Sequence, residues 1–188
     1  MKPLFYSTIA ALLTLLAAAE VTLRDYEDGD KYPDDIMAHI CKHKQGIPCH
    51  VAVNSTKGPH SVVGYIVMDI PFVFDADLER GIRKSMKYPQ QKGSFGYIEL
   101  VEVDQASQGS GIGTALLKYA LERGEATAGT LAMALRVSQD NVRAIRLYEK
   151  LHFVKVMSVR LRMDLYAYDY GLHNMESEAD GSFDHVLT

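Results

Sequence analysis

The fold is decided by one glycine-rich stretch, Gln108-Gly109-Ser110-Gly111-Ile112-Gly113. It follows a run of strand character, Tyr97-Ile-Glu-Leu-Val-Glu-Val103, and precedes a segment with apolar residues at helical spacing, Thr114-Ala-Leu-Leu-Lys-Tyr-Ala-Leu-Glu-Arg123. A strand, a glycine loop and a helix present free backbone N–H groups and the positive end of a helix to a phosphate. Glycine lets that backbone approach a ligand closely. The stretch therefore predicts a phosphorylated cofactor.

The glycine spacing narrows the choice of cofactor. A dinucleotide fingerprint that begins at Gly109 needs glycine where Thr114 stands, and one that begins at Gly111 needs glycine where Leu116 stands. A nucleotide-triphosphate loop fails because no lysine follows a glycine at the required distance. A dinucleotide oxidoreductase is thus excluded mainly by spacing. The pattern that fits is Q/R-x-x-G-x-G/A, formed by Gln108, Gly111 and Gly113.

A second motif follows the first at the expected distance. Leu131-Ala-Met-Ala-Leu-Arg-Val137 predicts a strand, and Ser138-Gln-Asp-Asn141 offers side chains that cap a helix. The helix then reads Asn141-x-x-Ala144-x-x-Leu147-Tyr148-Glu-Lys-Leu151-His-Phe153. From about residue 21 to 165, the two motifs resemble the signatures of the GCN5-related N-acetyltransferase (GNAT) superfamily. His152 departs from that pattern, because the family commonly has glycine there. The departure affects the expected geometry of the helix C-cap.

The resemblance implies an α/β acyl-CoA N-acyltransferase fold, with a mixed, twisted sheet flanked by helices and splayed open where acetyl-CoA enters. It implies an N-acetyltransferase that moves the acetyl group of acetyl-CoA, as co-substrate, to a primary amine by direct attack in a ternary complex. The amine could belong to a small molecule, a peptide or a protein. An alternative is a catalytically silent CoA-binding regulatory domain.

The resemblance also implies which residues hold acetyl-CoA. The glycine loop binds the pyrophosphate, the end of the preceding strand pairs with the pantetheine arm, and the residue that caps the second helix hydrogen-bonds the cofactor. The expected set is Val101, Glu102, Val103, Gln108, Gly109, Ser110, Gly111, Ile112, Gly113, Thr114 and Asn141.

Two residues are the predicted catalytic groups. Tyr148 matches the family tyrosine, which donates a proton to the leaving thiolate, although periodicity alone would place it on a core-facing stripe. The resemblance also implies a proton acceptor, or residues that hold a relay water, about nine to eleven positions before Gln108, where Tyr97 and Glu99 stand. Glu99 is the expected base, directly or through a water relay, since burial on an apolar strand raises a carboxyl pKa. Strict alternation would put Glu99 on the face of Val101 and Val103, and the weaker candidate Glu102 on the other face.

Length, composition and charge fit one globular domain. The chain has 188 residues, is 47% hydrophobic and carries a formal net charge of −4, so it offers no basic field for nucleic acid. We expect an N-acetyltransferase domain over residues 21–170, an apolar extension over residues 1–20 and an acidic tail over residues 171–188. A homodimer is compatible with these features.

The apolar extension leaves the compartment open. Residues 3–19 follow one lysine and end in alanines, the pattern of a leader, an anchor or a packing helix. Acetyl-CoA is mainly a cytosolic metabolite, and two cysteines do not make a disulfide scaffold. We therefore expect a cytoplasmic protein without a membrane partner, with the secretory pathway or a membrane anchor as the alternative.

Four further expectations come from local patterns. Residues 34–43 predict a helix with Ile36, Met37, Ile40 and Cys41 inward, and residues 154–164 predict one long strand. The connection from residue 72 to 95 is long enough to be functional, and we expect it to shape the acceptor site. No metal is expected at Cys41, Cys49 and the nearby histidines, because the spacing lacks a C-x-x-C pair.

Overall fold

Seven strands form one sheet, in the order β1-β2-β3-β4-β5-β7-β6, within residues 21–173, the part of the chain that the computed structural model describes. The predictions for residues 1–20 and 174–188 lie outside it. The strands are β1 (Val21–Asp25), β2 (His50–Asn54), β3 (Val62–Phe72), β4 (Ser94–Val103), β5 (Thr130–Ser138), β6 (Val154–Val159) and β7 (Met163–Asp169). The helices are α1 (Ile36–His43), α2 (Ala76–Ser85), α3 (Ile112–Ala126) and α4 (Val142–Lys150), with a 3₁₀ turn at Gln105–Ser107.

The sheet opens along the middle. β4 and β5 are its parallel pair, and they pair only from Ser94–Thr130 to Ile98–Leu135. Beyond that point β4 continues against β3 as far as the Val103–Gly64 pair, and β5 continues against β7 as far as Ser138–Met163. The mixed sheet and its splayed opening are as predicted.

β4 contains a bulge at Glu99. Met68 pairs with Ile98 and Val67 pairs with Leu100, so Glu99 is an extra residue with no partner on β3. A bulge of this kind re-aims side chains and is common beside active sites. Glu99 faces the α1 side of the sheet, where it lies 3.8 Å from the ammonium of Lys44, and the bulge shifts the alternation of the residues that follow it.

The predicted faces of β4 are therefore wrong in two respects. Val101 and Val103 pack on the opposite side of the sheet, against the core that includes Leu116 of α3. Glu102 lies on the α1 side, as Glu99 does, where its carboxylate accepts a hydrogen bond of 2.9 Å from the Tyr65 hydroxyl. Strict alternation fails because the bulge resets it.

The helices cover both faces as their apolar spacing predicts. α3 buries Leu116, Leu117 and Ala120 completely against the sheet, and α4 adds Tyr148 to the same core. On the other face, α2 buries Leu78 and Ile82. α2 begins at an Asp75 cap, whose carboxylate accepts hydrogen bonds from the backbone N–H groups of the first turn. The connection from residue 72 to 95 is thus anchored by a capped, amphipathic helix.

Two local predictions are wrong. Residues 154–164 form two strands, because the chain reverses at Leu161 and Arg162, whose φ angles are 61° and 55°. Neither is the glycine or asparagine that usually marks such a turn, so the sequence contains no turn signal there. In α1, Met37 is buried, whereas Ile36 is 58% exposed.

Cys41 at the end of α1 and Cys49 just before β2 form a disulfide, with their Cα atoms 5.5 Å apart. The sequence patterns did not predict this bond. Within residues 21–173 no group of three or more potential ligands is placed to hold a metal ion. In the same part of the chain, no helix combines the length and apolar character needed to cross a membrane.

Candidate active site

The glycine-rich stretch is the turn that leads into α3. Gly109 and Gly111 adopt φ angles of 86° and 90°, in the left-handed region that favours glycine. Gly111 is the N-cap of α3 and has no side chain with which to cap the first turn. The N-terminal N–H groups of the helix, with the positive end of its dipole, are therefore left to a ligand.

Gln108 braces this loop from two directions. Its side-chain amide donates to the carbonyl oxygen of Val103 at 3.0 Å, and its amide oxygen accepts from the Arg143 guanidinium on α4. The Ser110 hydroxyl donates to the carbonyl of Ser107 at 2.6 Å. The loop is thereby tied to the end of β4 and to α4.

A cavity of about 470 Å³, the cofactor cavity, lies against this loop. The predicted cofactor residues on its wall are Val101, Val103, Gln108, Gly109, Gly111, Ile112, Gly113, Thr114 and Asn141. Glu102 and Ser110 are not on it. Sequence analysis missed two cations that line the cavity, Arg143 and Lys150. They share one face of α4 with Leu147, a spacing that a helical projection would have shown.

Tyr148 stands at the inner end of the cofactor cavity. Its ring packs 5.9 Å from that of Phe153, and burial raises the pKa of its phenol. α4 is fixed at both ends. The Asn141 carboxamide oxygen accepts from the Ala144 N–H at 3.1 Å, and His152 takes a φ of 65° where glycine was expected. Tyr148 is therefore both a core residue and a cavity residue.

Glu99 lies on the other side of the sheet opening, hydrogen-bonded to the carboxyl group of Asp69 on β3. The pKa of Glu99 is raised to about 7, first by this hydrogen bond, then by burial and by the Asp69 charge, while Lys44 opposes the rise. The direction is the expected one. The largest cause is a neighbouring carboxyl group, however, and not the apolar strand.

Three cavities meet at the opening between β4 and β5. The narrow cavity, of about 170 Å³, has both Glu99 and Tyr148 on its wall. It shares Tyr148 with the cofactor cavity and Glu99 with a wide groove of about 990 Å³. That groove, the acceptor groove, is also lined by Asp75, Leu78 and Leu161. These shared wall residues place the three cavities next to one another.

Comparison with known proteins agrees with this architecture. A sequence profile of the acetyltransferase (GNAT) family matches residues 13–153. A comparison with curated protein sequences found no match.

Solved structures of the same fold include Arabidopsis thaliana NAA60 in complex with acetyl-CoA, with 18% identity, a TM-score of 0.62, and coverage of 80% of this chain and 98% of that one. PH1933 from Pyrococcus horikoshii OT3 has 22% identity and a TM-score of 0.58, with the same coverage of 80% and 98%. A GCN5-related N-acetyltransferase from Kribbella flavida has 17% identity and a TM-score of 0.54, again with 80% and 98% coverage.

At these identities the structural likeness is one of fold. The sequence profile spans most of the chain and includes both motifs around the cofactor cavity. This protein therefore belongs to the GNAT acetyltransferase family.

Proposed function

We propose that the protein transfers the acetyl group of acetyl-CoA to a primary amine by direct attack in a ternary complex. The observation that carries this proposal is the narrow cavity at the sheet opening, which has both Tyr148 and Glu99 on its wall and shares one of them with each larger cavity. Acetyl-CoA reaches that point from the cofactor cavity. The amine, carried by a small molecule, a peptide or a protein, reaches it from the acceptor groove.

The residues present fit acetyl-CoA. The N–H groups at the start of α3 and the cations Arg143 and Lys150 suit a diphosphate. β4 has no pairing with β5 beyond Ile98, so the backbone of residues 101–103 is open on that edge to an extended amide-bearing arm. Acetyl-CoA supplies the thioester carbonyl that the amine attacks.

Glu99 and Tyr148 have complementary proton roles in this proposal. The acceptor's ammonium gives a proton to the Glu99 carboxylate, directly or through a water molecule, and its neutral nitrogen attacks the thioester carbon. The C–N bond of the amide forms as the C–S bond breaks. The phenol of Tyr148 gives its proton to the departing sulfur, and the raised pKa keeps that proton in place until then. The amide nitrogen loses its second proton to solvent, and the Tyr148 phenolate takes up a proton from solvent, which restores the phenol.

The cysteines support direct attack over a covalent acetyl-enzyme. The chain contains 2 cysteines, and both are engaged in the Cys41–Cys49 disulfide. Neither thiol is therefore available to take the acetyl group first. Attack by the amine in a complex that also holds acetyl-CoA requires no such nucleophile.

The kinetic mechanism tests this proposal. Initial rates measured over a grid of acetyl-CoA and amine concentrations should give intersecting double-reciprocal lines, the pattern of a ternary complex. Protein treated with acetyl-CoA alone and then freed of it should transfer no acetyl group to an added amine, as followed by intact mass spectrometry. Parallel lines together with such a transfer would contradict direct attack.

A further inference from the structure

A short loop carries Lys44 over the Asp69–Glu99 carboxyl pair. α1 ends at His43 and β2 begins at His50, so this loop consists of residues 44–49. The Lys44 ammonium contacts the Asp69 carboxylate and lies 3.8 Å from that of Glu99. Its side chain is only 11% exposed, which limits screening of the charge by solvent.

The Cys41–Cys49 disulfide closes this loop at its base. Cys41 lies in the last turn of α1, and both cysteines are buried among Met37, Val51 and other core residues on that side of the sheet. Within residues 21–173, residues 44–48 form hydrogen bonds and ion pairs outside α1 and the loop itself through one side chain, that of Lys44. The disulfide thus holds the segment covalently at its base. Ile47 adds an apolar contact with the core.

The position of a nearby cation affects how readily the Asp69–Glu99 carboxyl pair loses a proton. Two carboxyl groups in hydrogen-bond contact cannot both ionise at low cost, so they retain one proton between them. A cation beside the pair favours loss of that proton. The site needs an unprotonated carboxylate to accept a proton from the amine, and Lys44 is the cation that contacts both members.

We propose that Lys44, held in place by the Cys41–Cys49 disulfide, is a positioning residue that keeps the Asp69–Glu99 pair ready to accept the proton of the acceptor amine. The inference rests on the proposed function, because it assigns Glu99 the base role. It adds that the oxidation state of Cys41 and Cys49 controls the pH dependence of the reaction.

Other charged or titratable groups also surround Glu99. Tyr97 on β4, Arg136 on β5, Asp75 and Asp77 at the start of α2, and Arg160 in the β6–β7 turn all line the acceptor groove with it. None of these groups is part of the 44–49 loop. A change confined to Lys44 or to the disulfide therefore leaves them in place.

The test compares pH–rate profiles of wild type, Lys44→Met and Lys44→Arg, with Lys42→Met as the matched control. Lys42 is exposed, one residue from Cys41, and makes no ion pair among the described residues.

Wild type is also measured after reduction by a phosphine. In that reaction the phosphine is oxidised to a phosphine oxide, whose oxygen comes from water, and the disulfide is reduced to two thiols, whose protons also come from water. The thiols are counted by alkylation and mass spectrometry.

The expected result is a shift of the acidic limb by about one pH unit toward higher pH in Lys44→Met, because loss of the cation favours the protonated pair. Reduced wild type should shift in the same direction. Lys44→Arg and Lys42→Met should keep the oxidised wild-type profile. Circular dichroism and acetyl-CoA affinity report whether each protein is folded, and Lys44→Gln replaces Lys44→Met if that variant does not fold.

A direct titration separates this proposal from the proposed function. The carboxyl carbons of Asp69 and Glu99 are followed by NMR in ¹³C-labelled protein, in oxidised and reduced samples, without any acceptor. The pair should release its proton at higher pH in the reduced protein and in Lys44→Met, even if no acetyl transfer is found. An unchanged titration in both would overturn the inference, and a shift in Lys44→Met without one on reduction would overturn the role of the disulfide.

Discussion

The carboxyl group of Glu99 is hydrogen-bonded to that of Asp69 on the neighbouring strand, and this contact is the largest cause of the raised Glu99 pKa. Asp69 pairs with Tyr97, and Glu99 lies two residues beyond Tyr97 on β4, with both β4 side chains on the wall of the same groove. A carboxyl group with a pKa of about 7 is well matched to general-base chemistry near neutral pH.

Replacing Glu99 should remove the acidic limb of the pH–rate profile. Wild-type kcat/KM should rise with pH and level off above about 7, as Glu99 becomes ionised. Glu99→Gln keeps the shape of the side chain but cannot accept the proton, so we expect a rate loss of about 10²-fold or more. Glu102→Gln is the control, since Glu102 bonds Tyr65 away from the cavities. If the limb survives in Glu99→Gln and disappears in Glu102→Gln, the base is misassigned.

Replacing Asp69 should move the same limb to lower pH. Asp69→Asn removes the like charge beside Glu99, so the pKa of Glu99 should fall toward its ordinary value. Lys44 then has Glu99 as its remaining carboxylate, and this attraction acts in the same direction. The profile is measured as for wild type. A limb that stays near pH 7 would show that Asp69 does not set the Glu99 pKa.

Replacing Tyr148 should slow turnover with little effect on cofactor affinity. Tyr148→Phe keeps the ring that packs against Phe153 but removes the phenolic proton. We expect kcat to fall by about 10²-fold, and acetyl-CoA affinity measured by calorimetry to stay close to wild type. Equal turnover in the two proteins would leave Tyr148 with a structural role only.

Replacing Gly111 should abolish acetyl-CoA binding. Gly111→Asp strains the backbone at a φ of 90° and places a negative charge where we propose the diphosphate binds. Gly129→Asp is a matched control, because Gly129 has a φ of 81° and open space around it in a turn before β5. Calorimetry should show normal affinity for that variant. Normal affinity in a folded Gly111→Asp protein would contradict the assignment of the loop.

Removing residues 1–19 should leave the chemistry intact. β1 begins at Val21, and every residue on the walls of the three cavities lies at or beyond position 75. A chain that starts at Glu20 should therefore keep its acetyl-CoA affinity and turnover, although its oligomeric state or location can change. If the shortened chain fails to fold or to bind acetyl-CoA, the apolar extension belongs to the domain.

Sequence patterns predicted the parts of the fold that depend on local order. The strand, glycine loop and helix around Gly111 and the capped helix after Asn141 are encoded within short windows by periodicity and capping chemistry. The same holds for the apolar stripe of α3. These elements place the cofactor cavity, which is why most of its predicted residues lie on its wall.

The features that were missed depend on contacts between distant segments. Alternation gives no sign of the bulge at Glu99, which depends on how β4 pairs with β3. Lys44 and Asp69 are 25 residues apart in sequence and meet only when α1 packs on the sheet. The turn at Leu161 and Arg162 is likewise imposed by pairing of β6 with β7, against the ordinary preferences of both residues.

The most direct test of the account is a balance of acetyl groups. Wild-type protein is incubated with carbonyl-¹³C-labelled acetyl-CoA and a panel of primary amines that includes peptides, protein lysines and small polyamines, and amide product and released CoA are both quantified by mass spectrometry. We expect at least one amine to gain one labelled acetyl group for each CoA released, with this product strongly reduced in Tyr148→Phe. Tight acetyl-CoA binding without acetylation of any amine in the panel would contradict acetyl transfer and favour a CoA-binding regulatory domain.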